Sequence, residues 1–388
     1  MDLHETTEFW KLLTEEILIA LPRYYGKDNW DAERFGRYKR PIYEIPLHIV
    51  NTWTPLKIVP PSNNEGVSVE PSYGLMRPYL DGFASTYTRL QDDYSRSLFI
   101  RLVAYRILGF HKVKLPRSLD SAGLESKRAM IRNLIDHSAA GKKAVGSWTL
   151  DLMDLSPLGY PVHCYSTQNG ILTTFVLKQY EYRQEGIKIS VSPGDCVIDG
   201  GGGWGDTALF FSCAAGDQGK VYSFEFDPQN LDIFLKNLVL NPGLSRRISV
   251  IPQALWCQSG DSINYAANGP GTTIASGYDQ RTCDKELQVT TISIDDFVQK
   301  NGLEKVDYIK MDIEAAELNA LKGAADTIRR FRPILAIAMY HQISDFAEIP
   351  RFLSELTVNY SFFLDHFTIH HEETVLFAVP EEKIRQVK

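Results

Sequence analysis

The sequence predicts an α/β chain: a doubly wound, mostly parallel sheet preceded by a mainly helical N-terminal region. Three observations predict it. From about residue 186, short apolar runs alternate with helical runs, which implies parallel strands covered by helices on both faces. A glycine loop, Asp199-Gly200-Gly201-Gly202-Gly203-Trp204-Gly205-Asp206, joins the first such strand to the first such helix. The first ~160 residues show helical spacing and loops without that alternation.

In the N-terminal region Phe9, Leu12, Leu13, Ile17 and Leu18 mark one helical face. Leu98, Leu102 and Tyr105 mark a second, opened by the polar Gln91, Asp92, Asp93 and Ser95. Met130, Ile131, Leu134 and Ile135 mark a third. Residues 58–64, with Pro60 and Pro61, read as a loop. Tyr24, Tyr25, Trp30, Tyr43 and Trp53 suit either a cleft lining or an ordinary core. The expected division is 1–165, covering substrate or making a homo-oligomer, and 166–388, the sheet domain.

The sheet domain then reads in order. Asp195–Asp199 is a buried strand and Asp206–Ala215 an apolar helix. Val221–Glu225 is the next strand, after which Asp227 and Pro228 look like the N-cap and first residue of a helix with Leu231, Phe234, Leu235 and Leu238 on its face. Ile248–Ile251, Val306–Met311 and Ile334–Tyr340 are further core strands. Gln288–Ile294 alternates like an edge strand. Leu318, Leu321 and Ile328 mark the helix after Met311, and Thr374–Val379 closes the chain as a strand. Asn264–Asp284, rich in Gly, Thr and Ser, reads as a long loop near the ligand.

Composition narrows the function classes. Hydrophobic residues are 44% and charged residues 23% of 388, ordinary globular values that exclude a disordered or fibrous chain. A net charge of −7 argues against a nucleic-acid partner, which needs a basic face. The strongest apolar run, Leu98–Phe110, is short of the ~20 residues of a membrane span and carries Arg101 and Arg106. Met1 to Glu5 is acidic and polar, unlike a secretory signal. Five cysteines with no CxxC pair suggest reduced thiols and a cytoplasmic setting.

Glycines after a buried strand let the backbone approach a ligand closely. Glu225, ending the next strand, is placed to accept from a ribose diol. Two ligands fit. Gly200, Gly202 and Gly205 satisfy the dinucleotide pattern G-x-G-x-x-G, which would make the chain an NAD-dependent oxidoreductase. Asp199 and Asp206 weigh against it: carboxylates at both ends of the loop repel a pyrophosphate but attract the ammonium and sulfonium of S-adenosylmethionine. The cofactor-side candidates are Asp199, Gly200, Gly201, Gly203, Gly205, Glu225, Phe226, Gln253 and Ala254.

From about Tyr180 to Pro380 the chain resembles the FkbM family of methyltransferases. The resemblance rests on an ordered series: the glycine loop with Asp199, Gly201 and Gly205, VYSFEFDP at Val221–Pro228, Leu235-Lys236-Asn237 with Asn241, TISIDDF at Thr291–Phe297, VDYIKMDIEAAE at Val306–Glu317, then Leu321–Ala324 and Arg332–Leu335. The family usually has Ala-Asn where this chain has Gly202-Gly203, and E-G-A-E where it has Glu314-Ala315-Ala316-Glu317. The resemblance implies a class I, Rossmann-like fold with the last strand antiparallel, S-adenosylmethionine as donor, and often O-methylation of a small metabolite or sugar. A cofactor-binding scaffold without turnover is the non-catalytic alternative.

Acceptor chemistry belongs at the carboxyl ends of the strands. Asp312 and Glu314 follow the fourth strand and His341 the fifth, so these three are the catalytic candidates. Asp312 or His341 would take the acceptor's proton, with Lys310 holding a neighbouring charge. A divalent metal on Asp312, Glu314 and His341 is an alternative that no fixed spacing supports. His370-His371 with Glu372 and Glu373 reads as a polar turn, since adjacent strand residues point to opposite faces. Lys178, Gln179 and Tyr180 precede the fold and suit a lid over the cofactor, while Lys178 and Tyr180 suit packing and surface positions equally well.

Overall fold

The computed structural model describes residues 3–38, 76–116, 121–138, 141–274, 287–356 and 359–386. The expected loop at 58–64, Tyr43, Trp53 and residues 275–284 of the expected ligand loop lie outside them. The chain forms two compact units: Met1–Ser118 with Met339–Phe352 and Ser361–Thr374, and Leu119–Ala338 with Leu353–Tyr360 and Val375–Lys388. This division differs from a single cut at 165: the second unit starts earlier and gives two later segments to the first. No described helix is long and apolar enough to cross a membrane.

The first unit is built on helices Leu3–Ala20, Leu80–Tyr87 and Asp93–Leu108. Asp92 caps the third, its Oδ1 accepting from the Ser95 N–H at 2.7 Å. Phe9 and Leu13 are fully buried, whereas Leu18, placed on the same face by spacing, is 47% exposed. Phe83 and Phe99 both pack on Phe346 from the returning segment, at 6.1 and 5.8 Å between ring centroids. His370 lies in the bend at residues 368–372, as expected of a turn, and is buried there. Its Nε2 accepts from the Asp31 N–H and its Nδ1 meets the Tyr105 hydroxyl at 3.1 Å. Burial lowers its pKa to about 4, which keeps the ring neutral.

Six strands of the central sheet belong to the second unit: β1 Cys196–Gly200, β2 Lys220–Phe224, β3 Ile248–Ile251, β4 Tyr308–Met311, β5 Ile334–Ala338 and β6 Thr374–Pro380. They lie in the order β6-β5-β4-β1-β2-β3. β1 to β5 are parallel and β6 is antiparallel to β5, with Leu335 opposite Ala378. Residues 196–200, 308–311 and 334–338 are buried throughout, because both faces are covered by helices. The helices are α1 Asp206–Ala215, α2 Pro228–Leu240, α3 Ile294–Lys300, α4 Glu317–Lys322 and α5 Ala325–Phe331. The single helix expected after Met311 is two, α4 and α5, separated at Gly323-Ala324. Asp227 caps α2 as its sequence predicts, accepting from the N–H groups of Gln229 and Asn230.

Among the described residues the second unit has three smaller sheets, one of them formed by Tyr182–Gln184, Ile187–Ile189 and Arg385–Gln386. Lys142–Val145, Trp148–Asp154 and His163–Ser166 form an antiparallel sheet where sequence spacing gave helices and loops. The expected loop from Asn264 is instead a hairpin in its first part: Ser262–Ala266 pairs with Thr273–Ile274 and with Gln288–Ile292.

Candidate donor site at the switch point

The chain leaves β1 toward β2 on one side and reaches β4 on the other, so the sheet reverses winding between β1 and β4. Ligands of doubly wound sheets sit in the crevice at the strands' carboxyl ends there. The glycine loop follows β1 at that place, and Asp312 follows β4; the Asp312 N–H donates to the Gly200 carbonyl at 3.2 Å. Gly201 has φ +80°, and a Cβ on it would lie 2.0 Å from the Asp312 carbonyl oxygen. Only glycine permits this approach. Gly203, at φ +50°, would meet nothing within 4 Å. Gly205 caps α1.

The loop is held from below by a buried ion pair. Register places Lys310 of β4 opposite Asp199 of β1, and their side chains are 1% and 0% exposed. The ammonium lies 3.2 Å from Asp199 Oδ1 and donates to the carbonyls of Gly200 (2.9 Å) and Gly201 (2.7 Å). Thr207 and Ser223 hydroxyls donate to Asp199 Oδ2 at 2.9 and 2.7 Å. The two hydroxyls meet Oδ2, whereas Oδ1 accepts no hydrogen bond among the described residues and faces the ammonium as an ion pair alone. Asp199 therefore meets Lys310 and two hydroxyls, and its charge anchors the loop. Asn237 of α2 adds a second anchor, donating to the carbonyls of Trp204 and Tyr165.

Glu225 follows β2 and is 7% exposed. Its Oε1 accepts from the N–H groups of Phe226 (2.7 Å) and Asp227 (2.8 Å). Burial raises its pKa to about 7, against the lowering effect of those two bonds. Beside it, Phe226 packs into an apolar cluster with Ala254, Trp256, Ile313 and Ala316, and lies 5.0 Å from the Tyr265 ring. Phe226 and Ala254 are thus brought together next to Glu225. Gln253 is half-buried and its N–H donates to Ile251, outside that cluster.

Beyond β4, Asp312 is half-buried and its Oδ2 accepts from the Tyr180 hydroxyl at 2.8 Å. That hydroxyl accepts in turn from Gln179 Nε2, and the Tyr180 ring lies 5.2 Å from Lys310 Nζ. Tyr180 thus braces the site from within, at 3% exposure. Glu314 and Ala315 turn with φ +52° and +75°, so the turn forms although alanine stands in the left-handed position. Glu317, the last residue of the Glu314-Ala315-Ala316-Glu317 motif, is fully buried and its Oε1 accepts from the Ile313 N–H at 2.8 Å. His341 belongs to the first unit, its ring 4.1 Å from that of Tyr340.

With this geometry described, comparison with known proteins identifies the domain. Residues 192–360 match the family model of the methyltransferase FkbM domain. The chain is 28% identical over 146 residues to the hexuronic acid methyltransferase AglP of Haloferax volcanii, covering 37% of this chain and 56% of that protein. It therefore spans little more than half the length of that relative. Among solved structures it is similar to the FkbM methyltransferase of Methylobacillus flagellatus KT, at 18% identity and TM-score 0.49, over 81% of this chain and 63% of that one. It is also similar to Aeropyrum pernix fibrillarin bound to S-adenosyl-L-methionine, at 14% identity and TM-score 0.32, over 61% and 97%. On its sheet topology, its ordered motifs and this match, the segment 192–360 is a methyltransferase FkbM domain.

Proposed function

We propose that the chain transfers a methyl group from S-adenosylmethionine to a hydroxyl of a sugar acid or a similar small hydroxylated acceptor. The observation that carries the reading is Glu225: a carboxylate beside an apolar cluster, at the end of β2 next to the glycine loop, suited to a ribose diol next to an aromatic base. Gly201 and Gly203 would let the amino-acid end of the donor approach the loop backbone. Phe226 and Ala254 would flank the adenine. The similarity to a hexuronic acid methyltransferase supports a sugar acid as acceptor.

Methyl transfer is an in-line displacement at carbon. The donor supplies the methyl group on a sulfonium, and the acceptor hydroxyl must lose its proton as the new C–O bond forms. Asp312 is the base in this reading, and the Tyr180 hydroxyl sets its orientation. No step is assigned to Glu314, His341 or a metal ion.

The test is transfer of isotope-labelled methyl from S-adenosylmethionine to glucuronate-terminated oligosaccharides, read by mass spectrometry. A methyl ether on the uronate supports the reading, whereas a methyl ester would overturn attack by a hydroxyl. Labelled donor that binds while no panel member is methylated would remove the sugar-acid assignment.

A further inference from the structure

The two faces of α2 are composed the wrong way round for a helix that only covers a sheet. Its buried residues are Asn230, Ile233, Phe234 and Asn237, so half of them are polar. Asn230 and Asn237 donate to the carbonyls of Gly269, Tyr165 and Trp204. The outward face is richer in aliphatic residues. Sequence spacing groups Leu235 with Phe234, but Phe234 is fully buried and Leu235 is 53% exposed. Val239 is 79% and Leu240 38% exposed, and with Leu235 they are the exposed large hydrophobic side chains among the described residues of the second unit. Leu231 and Leu238 beside them are half-buried. At 3.6 residues per turn, Leu231, Leu235, Leu238 and Val239 fall within an arc of about 100°. That is the width of the stripe a helix ordinarily turns to a core. One edge of the stripe runs into the domain at Phe234. The other edge is a ridge of charge, where Asp232 and Lys236 form an ion pair one turn apart.

We propose that this stripe is a contact between two copies of the chain, in which α2 packs antiparallel on the partner's α2 about a two-fold axis at Leu235. Charge complementarity selects this occupant. In the antiparallel pairing Leu235 meets the partner's Leu235, and Leu231 meets the partner's Val239, so the stripe is covered along its length. The two-fold axis keeps both charged ridges on one side of the contact. With a rise of 1.5 Å per residue, Lys236 then lies about 3 Å along the axis from the partner's Asp232, within reach of its side chain. The two ion pairs join into one cluster of four charges with alternating sign. A parallel pairing would put the ridges on opposite sides, where neither meets its complement. A single helix pair is at the low end of specific interfaces, about 1,200 Å² or less, so the dimer dissociates at a concentration on the order of 10 µM. Leu235 and Val239 lie roughly two and three turns into α2, away from Glu225 that precedes it, so the contact is separate from the donor site.

Sedimentation equilibrium of the full chain between about 1 and about 200 µM tests the proposal. The wild-type chain should pass from monomer to dimer across that range. Leu235→Asp and, independently, Val239→Asp should stay monomeric throughout with unchanged circular dichroism, since both side chains are exposed in the single chain. Asp232→Lys sets like charges against each other at both symmetric pairs and should weaken the dimer roughly tenfold. Exchanging the two charges, Asp232→Lys with Lys236→Asp, restores the alternation and should recover the wild-type constant within about threefold. A wild-type chain that is still monomeric at about 200 µM overturns the proposal. So does a dimer that survives both Leu235→Asp and Val239→Asp, because its contact then lies on another surface. An exchange variant that associates no more tightly than Asp232→Lys alone overturns the antiparallel pairing, and the proposal with it.

Discussion

Replacing Glu225 by glutamine should stabilise the protein while weakening its hold on the donor. Glu225 is 7% exposed, and burial raises its pKa from 4.5 to about 7. A folded-state pKa above the unfolded value means that protonation stabilises the fold. That stability is fully present below about pH 4.5 and is lost as pH rises through about 7. Each pKa unit is worth about 1.4 kcal/mol, so ionising Glu225 in the fold costs roughly 3 kcal/mol above neutral pH. Glutamine can keep accepting from the Phe226 and Asp227 N–H groups without that cost. The stability gap between Glu225→Gln and wild type should therefore widen by about 2 kcal/mol between about pH 5.5 and about pH 8.5. Urea unfolding of the ligand-free proteins at the two pH values measures it. The same variant should bind S-adenosylhomocysteine about 10–100-fold more weakly, because one charged acceptor for the ribose diol is gone. A pH-independent gap would refute the burial argument, and unchanged affinity would refute the ribose assignment.

Four other expectations concern the same crevice. Gly201→Ala should cost more than about 3 kcal/mol, because its Cβ meets the Asp312 carbonyl, whereas Gly203→Ala should cost about 1 kcal/mol; thermal melting compares them. Ala315→Gly should raise stability by about 0.5–1 kcal/mol by relieving the left-handed alanine at φ +75°, and a lower melting temperature would contradict this. Lys310→Met should destabilise by about 3–5 kcal/mol, since it leaves Asp199 buried without a cation; a neutral effect in chemical denaturation would show that the pair is dispensable. Asp312→Asn should spare S-adenosylhomocysteine affinity and slow methyl transfer by about 10²–10⁴-fold; wild-type turnover would rule out a base role.

The central strands and the cap of α2 are legible in the sequence because their signals are local. Cys196–Gly200 and Ile334–Ala338 are unbroken apolar runs, and Asp227-Pro228 is a cap followed by a helix-starting proline. The antiparallel sheet at 142–166 was legible in principle. Gly146-Ser147 separates two short alternating runs, a hairpin signal outweighed by the helical spacing before it. The break between α4 and α5 follows from packing: a Cβ on Gly323 would lie 2.2 Å from the Trp256 carbonyl, a contact no window of sequence contains. The function of Lys310 was hidden for the same reason. Its partners come from β1 and the glycine loop, and only the β1–β4 register brings them together. Likewise Tyr180, placed by sequence order as a lid residue, is buried against Asp312 because the segment before β1 folds back onto β4.

The most direct measurement is calorimetric titration of the purified chain with S-adenosylhomocysteine and, separately, with NAD⁺. Binding of S-adenosylhomocysteine at micromolar concentration, with none of NAD⁺, is the predicted result. Binding of NAD⁺ alone would contradict the account: Gly200, Gly202 and Gly205 would then be a dinucleotide fingerprint, and Glu225 would hold a nicotinamide cofactor's ribose.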